Sequence, residues 1–196
     1  EDLIRKNRDR ISATTDLRAA VGSTDITFVA VGTPSREDGA IDLRYVRTAC
    51  EEIGQALRDG NNFHIVVIKS TVFPGTANEM ACPVLEKASG KTAGRDFGIG
   101  SNPEFLREGS AVRDCLSPDR IVIGADDPRT AGVIRDLYAP IRATVLVTPV
   151  TTAEMIKYAS NAVLATKVSL ANEIGNLCKR LGVDSREVFT AVGMDG

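Results

Sequence analysis

The segment Ile26-Thr27-Phe28-Val29-Ala30-Val31, closed by Gly32-Thr33-Pro34-Ser35, sets the reading of the whole chain. It is nearly unbroken in apolar residues, too short for a helix and rich in β-formers. Such a run reads as a parallel strand buried on both faces. The pattern then returns. Asp42 can cap a helix in which Tyr45, Val46, Ala49, Cys50, Ile53 and Leu57 recur at helical spacing, and Gly60-Asn61-Asn62 stops it. Ile65-Val66-Val67-Ile68 is a second buried strand. Its loop is Lys69-Ser70-Thr71-Val72-Phe73-Pro74-Gly75-Thr76, with a helix to about Ala88. Strands are further expected over Asp96–Gly100, Arg120–Gly124 and Ala143–Val147, with a helix opened by Asp127-Pro128 and ending near Tyr138. Upstream, residues 2–10 read as the tail of a helix, and Thr15-Asp16 can cap a short one through Val21.

Strands alternating with helices predict an α/β fold with a mainly parallel, doubly wound sheet. From Thr151 to about Leu181 the pattern changes. Ala153, Ile156, Ala159, Val163, Val168, Ala171, Ile174, Leu177 and Leu181 are apolar and no proline interrupts. This is one helix of roughly 45 Å, too long for one face of a small sheet. It is expected to begin a second, helical domain and to serve as an oligomer interface. Residues 1–149 and 150–196 are the two domains so defined. The chain opens at Glu1 inside a helical pattern and runs out at Met194-Asp195-Gly196 with no stop signal, which reads as a segment of a longer protein.

Composition excludes several classes. With 43% hydrophobic and 26% charged residues the chain is an ordinary globular sequence. A net charge of -2 argues against nucleic acid as a main partner, because neutralising phosphates needs a basic surface. No apolar run reaches the ~20 residues of a membrane span, and no signal-peptide pattern opens the chain. Cys50, Cys82, Cys115 and Cys178 form no C-x-x-C pair, so no zinc knuckle or redox pair is legible, and a reduced, cytoplasmic compartment is expected. His64 opens a strand with no partner in view and is expected to be structural.

In parallel α/β sheets, ligands bind beyond the carboxyl ends of the strands. Three successive strands here end in polar loops: Gly32–Ser35, Ser70–Thr76 and Ser101-Asn102-Pro103-Glu104. The third continues as Phe105-Leu106-Arg107-Glu108-Gly109-Ser110-Ala111-Val112-Arg113-Asp114. Two readings stand there. Ser101-x-x-Glu104 fits a capping box with Pro103 in the first turn; alternatively Glu104 and Glu108, four apart on one helical face, are a paired-acid site. The long helix adds Glu154, Lys157 and Asn161. Glu154 and Lys157 could simply form an ion pair, whereas Asn161 stands in an alanine-rich helix where a buried amide would need partners. Gly98-Ile99-Gly100 looks like half of G-x-G-x-x-G, but Pro103 replaces the third glycine, so it is not a dinucleotide fingerprint.

Taken together, Val31-Gly32-Thr33-Pro34-Ser35, Ser70-Thr71-Val72-x-Pro74-Gly75-Thr76, the stretch Ser101–Asp114, and Glu154-Met155-Ile156-Lys157-Tyr158-x-x-Asn161 with Asn172-Glu173-Ile174 resemble the UDP-glucose/GDP-mannose dehydrogenase family. The resemblance covers essentially the whole chain. The spacing after Thr71 and the segment Gly90–Gly100 look closer to the GDP-mannose enzymes, whereas Ser117–Gly124 looks closer to the UDP-glucose enzymes; the balance leans to GDP-mannose.

The resemblance implies a Rossmann-like, partial NAD-binding domain followed by a central dimerisation helix. It further implies NAD-dependent, two-step oxidation of the C6 hydroxyl of a nucleotide sugar to a uronic acid, for polysaccharide precursors. Thr33 and Thr71 would line the NAD site, Thr71 also helping to hold a catalytic water. Glu104 would be the acid/base beside that water. Phe105, Leu106 and Arg107 would contact the sugar nucleotide, largely through backbone, and Glu108 would stand between substrate and nicotinamide. Lys157 would stabilise the oxyanion at C6, and Asn161 would hydrogen-bond the same region. A homodimer through 151–181 is implied, without nucleic acid or membrane. In the family a cysteine thiolate traps the aldehyde. Neither that cysteine's Gly-Gly-x-Cys-x-Pro-Lys motif nor the amino-terminal glycine fingerprint is in this sequence, so none of the four cysteines is assigned and the segment alone is expected to be inactive. Two rivals share part of the pattern: a β-hydroxyacid dehydrogenase of the 6-phosphogluconate type, with Lys and Asn four apart on the same helix, and a non-catalytic dimerising module.

Overall fold

A computed structural model describes residues 2–194; Glu1, Asp195 and Gly196, at the ends read above as internal to a longer protein, lie outside the described residues. Five strands form one sheet in sequential order: β1 (Ile26–Val29), β2 (His64–Ile68), β3 (Phe97–Ser101), β4 (Arg120–Ala125) and β5 (Thr144–Thr148). The helices are α1 (Asp2–Lys6), α2 (Leu17–Gly22), α3 (Arg44–Leu57), α4 (Cys82–Ser89), α5 (Ala111–Leu116), α6 (Pro128–Tyr138), α7 (Val150–Leu181) and α8 (Ser185–Val192). Every expected strand is present. Packing separates two compact units, Glu1–Lys157 and Tyr158–Gly196, so the first turns of α7 belong to the sheet unit.

The alternation of side chains along β2 builds the two layers. Val66 and Ile68 point to a cluster with Val46, Cys50, Ile53 and Leu57 of α3 and Leu85 of α4. Ile65 and Val67 point the other way, to Ile121 and Ile123 of β4 and Ile134 of α6. Helices therefore cover both faces, and the continuous apolar run of β2 follows from burial on both. Each fully buried aliphatic side chain contributes ~1.5–3 kcal/mol. Tyr45, placed on the apolar stripe of α3 by spacing, is instead 55% exposed.

The β1–β2, β2–β3 and β4–β5 pairings are parallel. β3 and β4 are antiparallel and share only Gly100↔Ala125 and Ser101↔Gly124. The reason lies in the connection: α5 has six residues, too few for a helix that carries the chain back across the sheet. The carboxyl ends of β3 and β4 thereby meet, and α7 starts beside them, its Val150 N–H donating to Asp126 at 3.0 Å.

Pro83 cannot donate a backbone bond, and the turn before it, Ala77–Ala81, widens to a π-helix that accommodates the lost donor. His64 is structural: Nδ1 lies 2.9 Å from the Thr24 carbonyl and Nε2 2.8 Å from the Thr27 hydroxyl, and burial lowers its pKa. Gly98-Ile99-Gly100 is packing, not a fingerprint. A Cβ on Gly100 would stand 2.9 Å from both the Gly124 carbonyl and Ile134 Cδ1, and one on Gly98 would overlap the Thr130 hydroxyl. Gly98→Ala is expected to cost ~1–3 kcal/mol of stability by overpacking. Adding Thr130→Ala should restore part of that loss in urea titrations, and an unchanged midpoint for Gly98→Ala would refute the close packing of α6 on β3.

Candidate active site

Because β1, β2 and β3 are parallel and in register, their carboxyl ends lie side by side. Short bonds tie the loops that follow. The Lys69 and Ser70 N–H groups donate to the Val29 carbonyl at 2.9 and 3.1 Å. The Ser70 hydroxyl donates to the Val31 carbonyl at 2.6 Å, and the Thr33 hydroxyl to the Thr71 carbonyl at 2.8 Å. Thr33 and Thr71, half-buried, are thus brought together from separate strands.

The loop after β3 is not helical at Glu104, so neither the capping box nor the shared helical face of Glu104 and Glu108 forms. Pro103 is buried in extended chain, and helix begins only at Ala111. Glu104 Oε2 accepts the Leu106 N–H at 2.6 Å. Its Oε1 accepts from Lys157 Nζ at 2.9 Å, with side-chain exposures of 33% for Glu104 and 9% for Lys157. Burial pushes the Glu104 pKa up, but the Lys157 bond, the Leu106 N–H and the nearby charges of Lys157 and Lys69 outweigh it, and the net shift is downward. Glu104 is therefore an ionised base at neutral pH.

Phe105 packs between two cations, its ring centroid 4.1 Å from the Arg120 guanidinium carbon and 5.5 Å from Lys157 Nζ. Arg107 is engaged by Asp114, at 3.0 Å from Nε and 2.8 Å from Nη2, and Ser110 donates to the same carboxylate at 2.9 Å. The Arg107 bond, first, holds the Asp114 pKa far below the usual carboxylate range. Leu106, at 44%, and Glu108 are exposed, with Glu108 in the turn before α5.

Asn102, Lys69 and Tyr138 were not singled out by sequence reasoning. Asn102 is 2% exposed. Its N–H donates to Ile68 at 3.0 Å and its Nδ2 to Val122 at 2.8 Å. Lys69 Nζ donates to its Oδ1 at 2.8 Å and its carbonyl at 3.1 Å, and the Tyr138 hydroxyl donates to Oδ1. Burial lowers the Lys69 pKa. A lysine directly after a fully buried strand was the available signal, since its ammonium must find oxygen partners.

Glu154 does not form the ion pair with Lys157 that spacing allowed. It is 2% exposed and accepts from the Gly75 and Ala77 N–H groups at 2.6 and 2.9 Å. Asn161 is exposed and lies in the second unit, so the buried-amide argument for it does not apply.

The aligned strand ends, with Thr33 and Thr71, fit the nicotinamide side of a dinucleotide site. They do not fit its pyrophosphate side: the helix N-terminus after β2 already holds the Glu154 carboxylate on its free N–H groups.

Comparison with known proteins agrees with this layout. Residues 1–142 match the NAD binding domain of the UDP-glucose/GDP-mannose dehydrogenase family, and residues 151–196 match that family's central domain. The GDP-mannose 6-dehydrogenase of Pseudomonas aeruginosa is 46% identical over 100% of this chain and 45% of its own length. A UDP-glucose 6-dehydrogenase of Haloferax volcanii is 47% identical over 95% of this chain and 44% of its own. A crystal structure of a ternary complex of the P. aeruginosa GDP-mannose dehydrogenase superposes with a TM-score of 0.96, covering 99% of this chain and 45% of that one. A UDP-glucose dehydrogenase from Pyrobaculum islandicum gives 0.92 at 48% identity, covering 97% of this chain and 43% of that one. The chain thus spans under half the length of the relatives it matches. Among the described residues no helix is long and apolar enough to cross a membrane. By domain match over most of its length, and by sequence and fold, the chain belongs to the UDP-glucose/GDP-mannose dehydrogenase family.

Proposed function

We propose that this chain is the portion of a nucleotide-sugar 6-dehydrogenase that holds the sugar C6 group against the nicotinamide, with GDP-mannose as the favoured substrate, UDP-glucose as the alternative, and a role in making polysaccharide precursors. The observation that carries it is the Glu104–Lys157 pair, 2.9 Å apart at the carboxyl edge of parallel strands. Oxidising an alcohol needs its proton removed while negative charge builds on oxygen. Lys157 has two further N–H donors for that oxygen, in a site where burial strengthens the attraction. Glu104, held ionised, takes up the proton, releases it to solvent, and as a carboxylate again takes one from a water that Thr71 helps to hold. Thr33 and Thr71 would hold NAD along their shared edge, and the cofactor would supply the hydride acceptor. Leu106 and the backbone from Phe105 to Arg107 contact the sugar nucleotide, and Glu108 stands where substrate and cofactor meet. Cys50 is no candidate for covalent catalysis, since burial pushes its thiol up to about 12.

Residues 150–196 would form the central helical, dimerising domain. Within the second unit Val163, Leu164, Val168 and Leu170 of α7 are 52–60% exposed, which a second copy of the chain would cover. Dimerisation is shared with the rival reading of a non-catalytic dimerising module; the Glu104–Lys157 pair at the strand edge is what favours the dehydrogenase.

Three outcomes follow. The intact protein that carries this chain should reduce NAD with GDP-mannose or UDP-glucose, and Lys157→Met should lower its kcat ~10²–10³-fold; failure with both nucleotide sugars sinks the reading, as does turnover by the 196-residue chain alone for the view that it lacks the full centre. Sizing of the intact protein should give a dimer and Leu164→Glu a monomer, and a wild-type monomer counts against the helix interface. In the chain itself, Lys157→Met should raise the Glu104 titration midpoint seen by NMR, because burial is then opposed only by the Leu106 N–H and the charge of Lys69. The sign for stability is set by the lowered native pKa. The pair stabilises the fold above the unfolded value of ~4.3, and that contribution is lost as pH falls through the native one.

A further inference from the structure

Glu154 is a buried acid that the chemistry above does not use. It lies one helical turn before Lys157 on α7, and its two oxygens receive the N–H groups of Gly75 and Ala77 from the loop and turn that follow β2. Those residues follow Thr71 directly in the loop after β2, where Gly75 takes φ +96°, a conformation that favours glycine. A second bridge runs parallel to the first. Asp126, just past β4, accepts the Val150 N–H at the start of α7 at 3.0 Å and Asn78 Nδ2 at 2.8 Å. Two carboxylates therefore fasten the first turns of α7 to the segment that carries Thr71. The buried one bonds backbone donors, which cannot swing away as a side-chain donor could.

The consequence concerns Lys157. Its stem leaves α7 three residues after Glu154, and its ammonium must meet Glu104 from a loop that belongs to β3. Val150 and Ala153, both fully buried, seat the start of α7 closely on Gly124. The Glu154 bridge adds a directional hold, because a carboxylate held at 2.6 and 2.9 Å leaves little freedom one turn away. Burial raises the Glu154 pKa, with Asp126 and Glu79 adding to the rise against the two N–H donors. An acid kept at such a position against its own solvation has a positional use.

We propose that Glu154 is the positioning residue of the candidate site: it locks α7 onto the Thr71 loop and thereby sets Lys157 on Glu104. The inference rests on the proposed dehydrogenase reading for its kinetic arm but not for its spectroscopic one. Gln in place of Glu154 keeps the size yet offers one acceptor oxygen and turns an NH₂ group against an N–H donor.

In the 196-residue chain, Glu154→Gln should speed amide exchange at Gly75 and Ala77 and raise the Glu104 NMR titration midpoint, as loss of a well-placed Lys157 would. In the intact protein it should lower kcat roughly 10–100-fold, leave the KM for nucleotide sugar within about 2-fold, and move the acid limb of the pH–rate profile upward. Asn78→Ala, which releases only the Asp126 bridge at an exposed site, should do the same more weakly and covers the case in which Glu154→Gln does not fold. Faster exchange at Gly75 and Ala77 with an unmoved Glu104 midpoint overturns the proposal, as does an unchanged kcat in both variants. An intact wild-type protein without turnover would refute the dehydrogenase reading alone, and the Glu104 midpoint in the chain would still decide the role of Glu154.

Discussion

An amide that is taken out of water must have all its groups bonded, at a cost of ~1–3 kcal/mol for each one left open. Asn102 is under that constraint, and the architecture around the site follows from how it is met. Its backbone N–H continues the parallel ladder to β2, its Nδ2 reaches Val122 in β4, and its oxygens take Lys69 and Tyr138. One residue thus joins β2, β3, β4 and α6 where the sheet changes from parallel to antiparallel pairing. Pro103 follows at once and keeps the chain extended, so Glu104 leaves the edge of the sheet instead of entering a helix.

The electrostatics of the site are layered on that junction. Lys69 is half-buried and bound to Asn102, yet its charge still reaches Glu104 and helps hold it ionised. Lys157 is the closer cation and bonds Glu104 directly. Two ammonium groups thus act on the one carboxylate of Glu104. Phe105 lies beside the pair, its ring near Lys157 and Arg120.

Much of this was legible in residue pattern. The five strands, the caps Asp16 and Asp127, and the long helix follow from periodicity and punctuation. The alignment of three polar loops followed from parallel pairing, and Thr33, Thr71, Glu104 and Lys157 were named from their motifs. What pattern misjudged was local. Ser101-x-x-Glu104 has the spacing of a capping box, but the bonds available to Asn102 and Glu104 across the sheet outweigh a first helical turn. Glu154 and Lys157 have the spacing of an ion pair, but each finds a partner more than fifty residues away in sequence.

By itself the sequence determined the kind of elements and their order, because those depend on which side chains recur at periods of 2 and 3.6 and on where glycine, proline and capping residues fall. It also carried the motifs of the family. The tertiary structure alone decided that β4 runs against β3, that Lys69 and Tyr138 serve Asn102, and that Glu154 bonds the loop after β2 while Lys157 bonds Glu104. The physical reason is that a buried polar group takes whichever partner the packing brings within ~3 Å, and packing is a property of the assembled sheet and helices that no local spacing encodes.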